Sequence, residues 1–120
     1  MAASATELTA LATGGCVDIL QIDVSRTGLS EGIRIAEIAA AHGVAIVNHS
    51  YGHVINVAAS LQLMAAAPEV SLFECQTSSN EIRDALDGGR LRPERGWISI
   101  PTGPGLGIEV DETVLRLFCH

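Results

Sequence analysis

Three short β-branched runs alternate with apolar helical stripes, and this alternation constrains the fold more than any other feature of the chain. The runs are residues 17–24, 44–48 and 70–75. Between the first and second, Ile33, Ala36, Ile38, Ala39 and Ala40 form a helical stripe that stops at Gly43. Between the second and third, residues 55–67 are rich in Ala and Leu and end before Pro68. A tight hairpin joins antiparallel strands; a strand that returns through a helix lies parallel to the one it left. The order strand, helix, strand, helix, strand therefore predicts a parallel α/β arrangement.

The flanks fill in the outline. Residues 4–13 read as the end of a helix, closed by Gly14 and Gly15. Residues 25–29 read as a loop, with Ser30 as N-cap of the next helix and Glu31 in its first turn. Residues 49–52 form another loop. After Gln76 the rhythm breaks. A short helix over residues 80–86 is capped by Ser79 or Asn80, and residues 88–96 make a charged loop. Residues 97–101 are extended, residues 101–107 are Pro/Gly-rich turn material, and Asp111 caps a last helix that runs to Leu117. No linker divides two domains. Aromatic residues are only 3% of the chain, so the core must be built from Ile, Val, Leu and Ala.

Several functions are excluded or disfavoured. The net charge is −7, and no basic stripe is present for the backbone of a nucleic acid or for an anionic membrane. No apolar run reaches the ~20 residues of a membrane span, and residues 1–13 do not read as a signal peptide. Every basic residue is Arg. Without lysine the chain can supply no Schiff base, no phosphate-loop lysine and no lysine general base. Cys16, Cys75 and Cys119 are odd in number and show no C-x-x-C spacing, so neither a disulfide framework nor a zinc site is expected. They read as buried thiols in a reducing cytoplasm.

Side chains alternate along a strand. Ile19, Gln21 and Asp23 share one face of the first run; Ala45, Val47 and His49 share a face at the second; Val70, Leu72 and Glu74 share a face of the third. Each run thus carries an ionisable group at or near its C-terminal end, where α/β folds build their sites. Neighbouring parallel strands lie ~4.8 Å apart, so Asp23 and His49 can touch. A carboxylate beside an imidazole favours the protonated ring and fixes its tautomer, which makes an acid/base pair. The alternative is that they are unrelated strand-end residues solvated at the rim.

Asp23-Val24-Ser25-Arg26-Thr27-Gly28, Asn48-His49, Leu72-Phe73-Glu74 and Pro104-Gly105-Leu106-Gly107 follow one another in order. Together they resemble the C-terminal part of the enolase superfamily, in its mandelate racemase/muconate lactonizing branch, over about residues 8 to 118. The resemblance implies a modified (β/α)₇β barrel with a separate N-terminal capping domain. It implies Mg²⁺ held by three carboxylates on the middle strands, and abstraction of the proton α to a substrate carboxylate. Asp23 and His49 would be the acid/base dyad of the sixth and seventh strands. Glu74 would be the eighth-strand Glu that hydrogen-bonds the substrate carboxylate. Many acid-sugar dehydratases share this dyad.

The chain begins just before the family's sixth strand. The expected fold is therefore a partial (β/α) barrel, with about three C-terminal parallel βα units and an irregular C-terminal tail. Residues 1–120 would be a single C-terminal fragment. The capping domain, the first barrel strands and the Mg²⁺ ligands would lie outside it. Leu29 follows Gly28 where the family usually has a second Gly.

Asn48, Tyr51 and His53 are candidate substrate contacts at the mouth, although His53 could instead cap a helix from solvent. Arg26 reads as structural or as a rim ion pair, and His42 as a helix C-terminal residue. His120 receives no role. Residues 102–107 do not follow a strand and open a helix as a phosphate loop does. Glu109, Asp111 and Glu112 sit at a helix start, where carboxylates cap.

Two functions compete. One is the dyad-bearing part of a Mg²⁺-dependent sugar-acid dehydratase or racemase, inactive until the missing strands complete it. The other is a non-catalytic remnant or interaction module. Three strands cannot close a barrel, so self-association or a complementing chain is expected. A complete small sandwich would need Trp97, Ile98 and Ile100 to cover the open sheet face.

Overall fold

The computed structural model describes residues 4–68, 70, 72–86 and 88–117. Helix α1 (Ala5–Thr13) opens on a capping box. Ser4 Oγ accepts from the Glu7 N–H at 3.2 Å, and the Glu7 carboxylate accepts from the Ser4 N–H at 3.1 Å. Strands β1 (Ile19–Ile22) and β2 (Ala45–Asn48) form a two-stranded parallel sheet, with Ile19 opposite Ala45 and Ile22 opposite Asn48. Helix α2 (Val24–Ala41) joins them, and α3 (Val54–Ala66) follows β2.

The core lies on one side of the sheet. Leu20, Ile22 and Ile46 meet Leu8 and Ala12 of α1, Ile35, Ala36 and Ala39 of α2, and Leu63 and Met64 of α3. Gly32 lets α2 approach α3, since a Cβ there would stand 3.2 Å from Leu63 Cδ1. The opposite sheet face is bare: Ile19, Gln21 and Ala45 are exposed.

The structure corrects several boundaries. The first strand spans four residues rather than 17–24. Asp23 leaves it to become the N-cap of α2, with its side chain accepting from the Ser25 N–H. Residues 25–29 are therefore not a simple loop, and Ser30 is not the cap. A first helical turn is broken at Gly28 (φ 73°, ψ 169°), and the helix then resumes.

Of the third expected strand, the described residues 70 and 72–75 do not join the sheet, which holds β1 and β2 alone among the described residues. The main-chain groups of Glu74 are bonded instead to the side chain of Asn48.

Helices α4 (Glu81–Leu86) and α5 (Glu112–Leu117) are capped by Asn80 and Asp111, as their sequences suggest. The tail docks on α3 and α4. Gln62 Nε2 donates to the carbonyls of Pro101 (2.8 Å) and Leu106 (3.3 Å), and the Asp111 N–H donates to the Leu86 carbonyl at 3.1 Å. Trp97 stays 82% exposed and covers nothing, so the small-sandwich arrangement does not form. Residues 102–107 make a turn, not a cradle, and a Cβ on Gly107 would stand 2.5 Å from Pro101 Cβ.

Cys16 is exposed rather than buried, Cys75 is partly buried, and both are free. Cys119 and His120 lie outside the described residues. Among the described residues, no helix is long and apolar enough to cross a membrane.

Candidate active site

The parallel ladder delivers the site. The His49 N–H donates to the Ile22 carbonyl at 2.8 Å, which carries the pairing one step past Asn48. Asp23 and His49 follow the strand ends side by side. Asp23 Oδ2 faces His49 Nδ1 at 3.3 Å, with side chains 14% and 24% exposed. The other carboxylate oxygen is occupied: Oδ1 accepts from the Ser25 N–H (2.9 Å), Ser25 Oγ (2.7 Å) and Asn56 Nδ2 (3.4 Å). Arg26 Nε lies 3.7 Å from Oδ2, half-exposed, as a rim ion pair.

Burial alone would raise the Asp23 carboxyl. The hydrogen bonds from Ser25, with those and the charge of His49, outweigh it and hold the group below the usual carboxylate range. Asp23 is therefore an anion at neutral pH. Facing that anion, Nδ1 is the ring nitrogen that carries hydrogen, which leaves Nε2 to take or give a proton.

The remaining candidates divide. Glu74 has an exposed carboxylate and lies with Tyr51, Ser50 and Gln76 along an open cleft of about 290 Å³. Tyr51 is 74% exposed there. His53 is the exposed N-cap of α3, and its Nδ1 accepts from the Asn56 N–H at 3.3 Å. Asn48 is not at the rim at all. It is fully buried, and its amide is spent on Ser50 and on the main chain of Glu74. His42 Nδ1 donates to the Ile38 carbonyl at 2.9 Å, within its own helix end.

Ser25 and Asn56 are site residues that sequence reading passed over. Asp-x-Ser at residues 23–25 is a recognisable capping pattern and could have flagged Ser25. Asn56 carries no such signal, because its partner is 33 residues away.

No three His, Cys, Asp or Glu side chains converge to hold a metal among the described residues. The Glu109, Asp111 and Glu112 group does not do so either: Asp111 is spent on the N–H groups of Thr113 and Val114.

Residues 1–114 match the family described as Enolase C-terminal domain-like. The chain is 39% identical over 115 residues to a D-galactarolactone cycloisomerase of Agrobacterium fabrum, covering 88% of this chain and 30% of that protein. It is 35% identical over 112 residues to a D-galactonate dehydratase of Verminephrobacter eiseniae, covering 88% and 29%. Its fold matches the crystal structure of a mandelate racemase/muconate lactonizing enzyme from Jannaschia sp. CCS1, with TM-score 0.85 and 31% identity, over 99% of this chain and 30% of that one. The chain thus spans under a third of the length of these relatives.

Proposed function

The chain belongs to the Enolase C-terminal domain-like family, within the mandelate racemase/muconate lactonizing group, and from that membership we propose that it carries the proton-transfer dyad of an enzyme acting on a sugar acid. The observation behind this reading is the Asp23–His49 contact at 3.3 Å, at the C-terminal ends of adjacent parallel strands.

His49 Nε2 takes the proton from the carbon α to the substrate carboxylate. The electron pair moves into that carboxylate as an enediolate. Asp23 stabilises the imidazolium that results. Glu74 hydrogen-bonds the substrate carboxylate as charge builds there. In a dehydration the imidazolium returns its proton to the β-hydroxyl, which leaves as water. In a racemisation the α-carbon is reprotonated instead.

The Mg²⁺ of the family resemblance does not fit this chain's own donors, since no acidic cluster of the required kind is present among the described residues. The proton transfers rest on His49, with Asp23 stabilising its imidazolium and Glu74 holding the substrate carboxylate. We read the chain as the last βα units of a (β/α) barrel, a single domain piece whose bare sheet face meets the remaining strands.

A second reading has its own support. Ile19 is 54% and Leu72 65% exposed, which suits an interaction module that binds a complementing chain or a second copy.

The test is to sequence the DNA upstream of Met1 and assay the encoded protein on sugar acids with Mg²⁺, following 2-keto acid formation and α-proton exchange into D₂O. His49→Ala should abolish both signals and Asp23→Asn should lower them. Full exchange in His49→Ala would overturn the assignment.

A further inference from the structure

We propose that Asn48 is a positioning residue: its side-chain amide, in place of a strand ladder, sets where Glu74 stands beside the Asp23–His49 pair. The functional part of this inference rests on the reading of Glu74 as a substrate contact.

Strand β2 ends at Asn48, and among the described residues the segment carrying Glu74 forms no ladder with it. Glu74 nevertheless turns both main-chain groups toward one side chain. Its N–H donates to Asn48 Oδ1 at 2.7 Å, and its carbonyl accepts from Asn48 Nδ2 at 3.0 Å. Ser50 Oγ accepts from the same Nδ2 at 2.7 Å and donates to the Glu74 carbonyl at 3.4 Å. Asn48 and Ser50 are both buried, so water does not compete for these groups.

A carboxamide offers a donor and an acceptor in the geometry of a peptide group. A residue that gives N–H and C=O to one neighbour is oriented as a paired strand residue, with its side chain sent to a face of the sheet. Asn48 thus does the work of a ladder rung, one side chain further out. Alternation puts Asn48 on the buried face of β2 and His49 on the other. The clasp is made on the core side, and the Glu74 carboxylate remains exposed. Among the described residues no ladder bond holds Glu74 to β2. Asn48 therefore acts on substrate only through Glu74.

The test uses the 120-residue chain labelled with ¹⁵N and ¹³C. A scalar coupling across the hydrogen bond, between the Glu74 amide nitrogen and Asn48 Cγ, should be detected in the unmodified protein. The Glu74 amide should exchange more slowly than that of exposed Thr77. Asn48→Ala should speed Glu74 exchange about tenfold. It should also move the Glu74 carboxyl ¹³C resonance, while the amides of Leu20 and Ile22 keep their protection. Ser50→Ala, a milder change, should speed Glu74 exchange by less. A Glu74 amide that exchanges freely in the unmodified chain overturns the proposal even if Asn48→Ala does not fold. So does an Asn48→Ala protein in which Glu74 is unaltered. None of these readouts involves turnover. A clasp found while His49→Ala leaves turnover intact would sink the enzymatic reading and leave the positioning standing.

Discussion

Asp23 and His49 face each other one residue past the last paired rung of the sheet, Ile22 opposite Asn48, with Oδ2 and Nδ1 3.3 Å apart. The two side chains inherit their spacing from backbone hydrogen bonds, including the one from the His49 N–H to the Ile22 carbonyl. Because Ser25 and Asn56 occupy Oδ1, the carboxylate has one oxygen left for the ring. Orientation is thereby fixed before any substrate arrives.

The first prediction concerns acid. Asp23 is held below its ordinary 3.8 in the folded protein, while the unfolded carboxyl titrates near that ordinary value. The folded state binds this proton less readily, so the anion's contribution is present above the unfolded value and is lost as pH falls through the folded one. Asp23→Asn keeps a capping side chain and removes the charge. Urea melts should show it less stable than the parent at about pH 5, with the difference closing as the pH falls toward about 2. A difference that persists unchanged would show that the charge is not the cause.

Gly28 adopts φ 73°, and a Cβ there would meet nothing within 4 Å. The cost of a side chain is therefore conformational. Gly28→Ala should destabilise the protein by about 1–2 kcal/mol in chemical denaturation. An Ala variant as stable as the parent would mean that the break between the first turn of α2 and its remainder is not held in the folded state.

Ile35 and Leu63 are fully buried at the meeting of α2, α3 and the sheet. Truncating either to Ala should cost about 2–5 kcal/mol, the range for large-to-small changes in a packed core. In a domain of ordinary stability that is a large fraction of the total. Thermal melts of Ile35→Ala and Leu63→Ala should therefore fall well below that of Ile38→Ala, since Ile38 is only partly buried. Equal melting points would argue against a core centred on α2 and α3.

The bare sheet face should make the chain associate. Ile19 is exposed on it, Leu72 is exposed in the segment that follows α3, and β1 has a free edge among the described residues. Sedimentation should show species larger than a monomer. Ile19→Glu with Leu72→Glu should shift the distribution toward monomer without lowering the melting temperature. A parent chain that sediments as a single monomer across the concentration range would remove the basis for a complementing surface.

Much of the fold was legible in the residues, and the reason is local. Capping chemistry and helical stripes act within a few residues, so α4 and α5 follow from Asn80 and Asp111 with the apolar positions behind them, whereas the start of α1 at its Ser4 cap was not read from the residues. The parallel pairing of β1 and β2 follows from the helix between them. The meeting of Asp23 with His49 follows from strand ends that lie in register. What sequence could not give was decided by competition between local and distant partners. Asp23 became a cap because Ser25 offered its carboxylate two donors. At Glu74 the main chain pairs with the Asn48 amide across 26 positions of sequence rather than with a strand. Asn48 is thereby a buried clasp and not the expected substrate contact. Periodicity says which face a side chain takes. Only the folded chain decides which hydrogen-bonding group reaches a buried partner first, because an unpaired buried amide costs more than a lost ladder rung at a solvated edge.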